Sequence, residues 1–587
     1  MNGIWGSRAK PQAAARPVDP LPSVCSHPGL FDVPLANMRG RIAEDHRHTG
    51  RKLRGTEGEM SASRDAGPLS RLRPLAAALV LAGFSGPLHA VTDYRPGELQ
   101  APADPILRED GTPLRVALGE WHADALKSAV PPAATTTIRP VTNCNDDGPG
   151  SLRAVLAATA SGDTIDLSGL ACSRISLETG ALAAHVDTVT IEGPARRLTI
   201  DGNDRDRVML HYGAGTMTLR NLVITHGSVV ADGTDLGIAG CIASAGYLTL
   251  DHSKVTDCFA SGEGGYGGAI YAYSLILFDS TLSDSVAYGT HPTNGTAAFG
   301  GGAFVYQIDL VGSTVTGNSA SHRSNPPRTS YDIGGGISTV RGGLVVDSTI
   351  DSNYATTVGG GLATFTDILV RNSTISGNVA RTFGGGGLFV RFRAVLDARN
   401  STITDNEGHN GGGILTNSPA LSLVSTIVAG NHADPHETAD LVGLRDIAVT
   451  GSASLVGIAS DNLALPADTL RGDPGLMPLG YNGGQTRTHA LRATSPAIDA
   501  GNNVSQLVSD QRGAGYPRVV GAAADIGAFE YRPTSPAGSD PLDVPALTGW
   551  ATTLLFGFLA WIGARNAASC DRKRASHARC DVGSRAS

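Results

Sequence analysis

Gly334-Gly335-Gly336-Ile337, then Asp347-Ser348-Thr349-Ile350-Asp351-Ser352-Asn353; Gly359-Gly360-Gly361-Leu362, then Asn372-Ser373-Thr374-Ile375-Ser376-Gly377-Asn378: one phrase recurs along the chain between residues 240 and 430. The glycine clusters lead into Cys241-Ile242, Ala269-Ile270, Ala303-Phe304, Gly336-Ile337, Gly361-Leu362, Gly387-Leu388 and Gly413-Ile414. The apolar residues that follow them are spaced 28, 34, 33, 25, 26 and 26 apart. The paired serines are Ser253, Ser280, Ser313, Ser348, Ser373, Ser401 and Ser425. Self-similarity at this period predicts a stacked solenoid, because no single unit can bury its apolar face alone.

The unit has strand chemistry. Ile270-Tyr271-Ala272-Tyr273, Leu344-Val345-Val346 and Ile368-Leu369-Val370 are short, β-branched or aromatic, and bounded by Gly, Asn, Asp and Ser. An apolar residue lies two past each serine: Val255, Leu282, Val315, Ile350, Ile375, Ile403 and Ile427. One such residue per coil, repeated every ~4.8 Å, builds an interior apolar column. Asn318, Asn353, Asn378 and Asn406 each fall five residues past the serine, where stacked amides can form a ladder. The leucine spacing of leucine-rich repeats is absent, and a propeller needs longer repeats with several hairpins each. The expected fold is all-β: a right-handed single-stranded parallel β-helix. Residues 151–158, with Leu152, Val155 and Leu156 on one face, are expected to form a short N-terminal capping helix over the exposed sheet edge.

Composition argues against one partner class, and the segments at the two ends lead to the expectation of an exported, membrane-anchored cell-envelope protein. It has 587 residues, 75 of them Gly, with 17% charged residues and a net charge of −8; no basic stretch interrupts the repeats, which argues against nucleic acid as a partner. Residues 60–90 read as a signal peptide, with Arg64, Arg71 and Arg73 before an apolar core and Leu88-His89-Ala90 at the cut. Residues 1–59 then form a leader ahead of it, and translation is expected to start at Met60. A Pro-rich linker covers 91–137, the β-helix repeats 138–439, the terminal coils and cap 440–531, and a second linker 532–543. Residues 544–565 hold an uncharged apolar run with Trp550 and Trp561 near its ends, and 566–587 form a basic tail with Arg572, Lys573 and Arg574. That run is long enough to cross a bilayer as a C-terminal transmembrane helix; a buried core helix is the alternative.

Seven cysteines then divide. Cys25 lies in the leader, and Cys570 and Cys580 lie beyond the apolar run. The exported part keeps Cys144, Cys172, Cys241 and Cys258, an even number that reads as disulfides. Three connectivities are open. The local pairs Cys144–Cys172 and Cys241–Cys258 are favoured because stacked coils bring each pair close, with a zinc site as the alternative.

The repeats resemble those of pectin-lyase-like and polymorphic outer-membrane proteins. Ser495-Pro496-Ala497-Ile498-Asp499-Ala500-Gly501-Asn502, Asp510-Gln511-Arg512-Gly513, Pro517-Arg518 and Asp525-Ile526-Gly527-Ala528-Phe529-Glu530 resemble the choice-of-anchor Q domain. Val544-Pro545-Ala546-Leu547-Thr548-Gly549-Trp550, with the run and arginines after it, resembles an IPTL-CTERM sorting signal. It departs at Val544, where Ile is usual, at Ala546 for Thr, at Gly549 for an acidic residue, and in a longer tail. The resemblance implies a Gram-negative cell-envelope protein, a sorting protease as partner, and no established reaction.

Three functions follow as expectations. The first is non-catalytic adhesion or glycan interaction through the outward residues of one sheet: Tyr271, Tyr273, Gln307, Phe365, Phe389, Arg391 and Asn417, taken as the first and third positions after inward Ile270, Phe304, Ile337, Leu362, Leu388 and Ile414. The second is a polysaccharide lyase or glycoside hydrolase, which needs paired carboxylates or a metal cluster with an Arg or Lys base. Polygalacturonase-type motifs are missing; Asp146-Asp147 and His226-Gly227 are isolated fragments, and Asp347, Asp351, Asp367 and Asp397 scatter over different turn positions. The third is a structural surface spacer. No cofactor is expected, except that Asp499, Asp510, Asp525 and Glu530 at the acidic end could hold calcium, or else pair with Arg512 and Arg518 to close the solenoid.

Overall fold

The computed structural model describes residues 137–533, apart from 233–234, 291–297, 323–330, 392–393 and 435–436. The leader, the signal peptide, nearly all of the first linker, the apolar run and the basic tail lie outside these residues. Among the described residues no helix is long and apolar enough to cross a membrane.

The chain winds as an all-β parallel solenoid of about 11 turns. Its strands sort into sheets of 20, 12, 7 and 2 strands, and every strand pairing is parallel. The 12-stranded sheet shows how the repeated phrase makes a rung. Thr349–Asp351, Thr374–Ser376 and Thr402–Thr404 pair in register, so Ile350, Ile375 and Ile403 stack in one file. Val255, Leu282 and Val315 continue that file upward, and all six are fully buried.

Each three-residue strand is bounded by backbone in the left-handed region. Asp347, Asn372 and Asn400 precede it at φ 52, 52 and 46°, and Ser352, Gly377 and Asp405 follow it at 57, 64 and 56°. Asn, Asp and Gly tolerate that conformation best, which accounts for the spelling of the phrase at both corners. The serine after the first corner accepts from the backbone N–H of the coil before it: Ser313 N to Ser348 Oγ is 3.0 Å, and Ser348 N to Ser373 Oγ is 3.1 Å. The asparagine after the second corner does more. Asn353 donates its N–H and its Nδ2 to Asn378 Oδ1 at 3.1 and 2.9 Å, and gives Nδ2 also to the carbonyls of Val315 and Asp351. Asn318, Asn378 and Asn406 repeat this, and Asn431 extends the file.

Two register assignments from the repeat are corrected. Ala303, not Phe304, lies in file with Ile270 and Ile337. Three residues, beginning with the left-handed Gly267, Gly300 or Gly334, turn the corner before the inward position, so the fourth points in. Val428, not Ile427, follows Ile403 in the interior file, and Ser425 gives up the serine position to Thr426. Ile427 faces outward and packs with Leu455, Leu491, Ile526 and Phe529.

That outward contact belongs to the segment from Asp473 onward. It adds no coil. It folds back as a strap along the outer face of the 12-stranded sheet, where Thr349 Oγ1 donates to Arg487 O at 2.7 Å and Thr374 Oγ1 to Gln511 Oε1 at 2.6 Å. Asn400 Nδ2 donates to Asn502 O and Ala528 N donates to Thr402 Oγ1, both at 3.0 Å; Arg487 pairs with buried Asp351. The strap therefore lies along the flank of several coils and does not simply close the last one.

The other end carries helix α1, Leu152–Ala157, capped by Ser151 Oγ accepting from Ala154 N at 3.2 Å, with Leu152 and Leu156 buried. Asp146 ties the segment before α1 to the next coil. Burial alone would raise its pKa, but Arg153, the Thr179 hydroxyl and the N–H groups of Glu178 and Thr179 prevail and hold it at about 2.

Two outcomes are expected. Asn378→Ala strips both donors of Asn353 of their acceptor and two carbonyls of their donor, and should cost about 3 kcal/mol or more, read as a lowered denaturation midpoint. The Asp146 carboxylate binds its proton less readily in the fold than in the open chain, with a value near 2 against 3.8. Its tie thus contributes stability above about pH 4 and loses it as pH falls toward 2. Amide exchange across 143–158 should accelerate in that window, and Asp146→Asn should be fast already at neutral pH and show no such slope.

Candidate functional site

The positions expected to form one outward face fall into two files with different fates. Tyr271 is paired in register with Phe304, and farther down Ala363 pairs with Phe389 and Phe389 with Leu415. This file is covered. Tyr266, Phe299, Ile333 and Val358, each just before a left-handed glycine, bridge one another in parallel and lie over it. Tyr266 stacks on Phe299 at 5.1 Å, and Phe304 meets both at 5.6 Å. Glycine is required at the bend: at Gly300 an added Cβ would stand 2.0 Å from the Ala303 carbonyl oxygen. Tyr271 is therefore 3% exposed and its hydroxyl is removed from any surface face; burial pushes its phenol up to about 12. Phe389 is half-buried against the same layer.

The second file is a corner. Phe365 N donates to Thr339 O, Arg391 N to Thr364 O and Asn417 N to Val390 O, so Val340, Phe365, Arg391 and Asn417 occupy successive rungs. Tyr273 and Tyr306 head the same file, and Gln307 stands one position along, opposite Ser274. Thus Tyr273, Phe365, Arg391 and Asn417 are brought together, Gln307 is their exposed neighbour, and Tyr271 and Phe389 belong to the covered layer. Phe365, Arg391 and Asn417 are half-buried.

Three members of the corner escaped the sequence reading: Tyr247, Tyr306 and Arg341. Tyr306 is third after Ala303, so counting from the left-handed glycine would have found it. Tyr247 follows an irregularity in register between Ser244 and Tyr247, for which spacing offers no signal.

Ring geometry decides what the corner can offer. Tyr273 and Tyr306 stack at 4.9 Å and 19°, close to the ~4.8 Å rung spacing. Rings stacked across adjacent rungs spend faces on each other and turn edges and hydroxyls outward. Tyr247, on the preceding coil, meets Tyr273 at 73°, so its plane runs along the axis and its face is not spent in the stack. Tyr247 and Tyr273 are 44% and 39% exposed. Arg341 lies over Tyr306 at 5.4 Å and Arg391 over Phe365 at 5.1 Å; burial depresses the Arg391 pKa. At the far end Asn417 Oδ1 is buried without a hydrogen-bond donor.

Of the acids weighed for catalysis, Asp347 accepts from Asn372 Nδ2 at 2.7 Å, Asp351 pairs with Arg487, Arg399 grips Asp397 through two nitrogens, and Asp367 accepts from Val395 N at 2.8 Å. His226 sits at a left-handed corner with Nδ1 3.3 Å from Asp201. In the strap, Arg512 holds Asp510 while lying 4.1 Å over Tyr516 and 3.8 Å over Phe529. Buried Arg518 pairs with Glu530 at 3.1 Å, and Asp525 and Asp499 accept backbone N–H groups. Among the described residues no three His, Cys, Asp or Glu are placed to hold a metal ion. Both local cysteine pairs form disulfides, Cys144–Cys172 and Cys241–Cys258.

No family model matches the chain, and no curated protein does. Among solved structures, a crystal structure of pectate lyase Pel9A aligns at a TM-score of 0.36 and 13% identity, over 68% of this chain and 97% of that one.

Chemical modification separates the two files. Brief nitration with tetranitromethane, mapped by mass spectrometry, should modify Tyr247 and Tyr273 and leave Tyr271 and Tyr266 intact. Early nitration of Tyr271 would mean that the apolar layer does not cover it.

Proposed function

We propose that this chain is an exported cell-envelope protein whose solenoid presents a non-catalytic glycan-binding corner. Residues 60–90 direct export, residues 544–565 tether the body to a membrane, and the strap is a choice-of-anchor Q-like segment. The observation that carries the binding reading is the corner of Tyr247, Tyr273 and Tyr306. It combines a ring face outside the stack, a row of phenol edges, and the polar side chains of Gln307 and Arg341 beside them.

A saccharide has apolar C–H faces and a rim of hydroxyls. An aromatic face matches the former, and phenol, amide and guanidinium groups match the latter. The pairing of Asp351 with Arg487 and of Asp397 with Arg399, two of the carboxylates weighed for catalysis, supports binding over bond cleavage, since a glycosidase requires one acid free to protonate the leaving oxygen.

A glycan array probed with the purified protein tests this. Binding is expected to fall about tenfold with Tyr247→Ala and by a similar or smaller factor with Tyr273→Ala, while Tyr271→Phe leaves it unchanged. An array on which nothing exceeds background, or equal binding by Tyr247→Ala, would remove the glycan reading. Release of unsaturated or reducing ends from polyuronates would overturn the non-catalytic one.

A further inference from the structure

The outer side of the strap carries a cluster of exposed aliphatic residues that the glycan corner does not use. Val504, Val508, Val519 and Val520 are 59, 90, 44 and 38% exposed. Local geometry gathers them. Arg518 N donates to Val508 O at 3.1 Å and Ser509 bridges Pro517 antiparallel, so Val508 and the Val519-Val520 pair lie on two arms of one hairpin. Asn503 closes the loop before it, giving Nδ2 to Leu507 O and taking Leu507 N on Oδ1, both at 2.8 Å, with Val504 inside that loop. The polar groups of the hairpin are spent on the solenoid: Ser509 O takes Asn372 Nδ2, and Gln511 binds Thr374 and Thr349. The valines take no part in these bonds and stay exposed.

The chain leaves the described body at this same place. Arg532 donates to Gly515 O at 2.6 Å and lies 5.0 Å over Tyr516, which anchors the exit beside the hairpin tip. The 13 residues 534–546 then separate it from the uncharged run 547–564. Fully extended, they reach at most about 45 Å. A body held on so short a lead meets the bilayer surface often, and it meets it first near the exit.

We propose that the valine hairpin rests on the lipid surface in which the 547–564 run is embedded. The inference rests on the tether reading above. It makes the strap a second, weak membrane contact beside the strong one, and lays the strapped flank of the solenoid against the bilayer. Four valines alone would bind lipid only marginally, and the anchor supplies the local concentration that makes the contact persist.

The test uses the full chain in vesicles of phosphatidylethanolamine and phosphatidylglycerol, with and without brominated acyl chains. Val508→Trp adds one reporter to the four native tryptophans, whose signal is subtracted using the parent protein. Val508 is nearly fully exposed, so the substitution should leave the fold intact. The expected result is a blue-shifted added emission that brominated lipid quenches to a small remnant, together with slowed amide exchange across 503–509 in the parent. Protein that floats with the vesicles while the added indole stays quenchable by iodide and not by bromine overturns the hairpin contact and leaves the tether standing. A blue shift without bromine quenching overturns it in favour of a second protein copy. Failure of the parent to float with vesicles removes tether and contact together.

Discussion

Every coil after the first few depends on one hydrogen-bonding constraint. A solenoid corner leaves backbone groups that its own coil cannot satisfy, and here the asparagine of each following coil satisfies them. Asn318, Asn353, Asn378, Asn406 and Asn431 each donate Nδ2 to backbone carbonyls, and each offers Oδ1 to the rung before it. Only a short side chain with both a donor and an acceptor can do this, since a carboxylate lacks the donor. The file ends accordingly. Asp440 Oδ1 takes both donors of Asn431 at 2.8 and 2.9 Å and its Oδ2 takes Ile458 N at 2.7 Å, so an acceptor-only group suffices there. The side-chain amides of Asn318, Asn353, Asn378, Asn406 and Asn431 are paired at both ends, in an interior where a missing partner is costly.

Because the polar groups of the corners are consumed internally, function must use what remains outside. The exterior is divided. One outward file is sealed under Tyr266, Phe299, Ile333 and Val358. The threonine-rich flank is bound by the strap over part of its length. The corner of Tyr247, Tyr273 and Tyr306 stays open. An aromatic residue on a strand is thus no guide to a binding face by itself, since Tyr271 and Tyr273 are two residues apart and differ entirely in exposure.

The fold was legible in the sequence because its determinants are local and repeated. Left-handed corners select Asn, Asp and Gly, the ladder selects Asn, and the interior file selects Ile, Leu and Val, so the unit can be read without knowing the whole. The cysteine pairs were readable for the same reason, as each bond joins neighbouring parts of the stack. The candidate site was legible only in part. Phase errors of one residue at Phe304 and Ile427 arose where the repeat is imperfect: the inward position after Gly300-Gly301-Gly302 is filled by small Ala303 with a larger apolar residue after it, and Ser425 stands at the left-handed corner with Thr426 in the serine position. The cover over Tyr271 comes from the residues just before the left-handed glycines, which recur once per coil, so an apolar residue ahead of each cluster was its available signal. The strap returns from more than 100 residues away in sequence, and that relation is not periodic, so spacing carries no trace of it.

Linear stacks ordinarily fray from their termini, because an end coil has one neighbour instead of two. Here both termini are fastened. At one, α1 and the Cys144–Cys172 disulfide close the first coils; farther along, Cys241–Cys258 pins a later coil, and Cys258 N reaches Ser285 Oγ where the amide ladder has run out. At the other, the strap grips the flank of several coils at once. Unzipping must therefore begin in the interior of the stack, where opening one coil breaks two interfaces. An end fastened to several coils at once must release them together, so the fastenings turn a stepwise loss of single coils into one larger step.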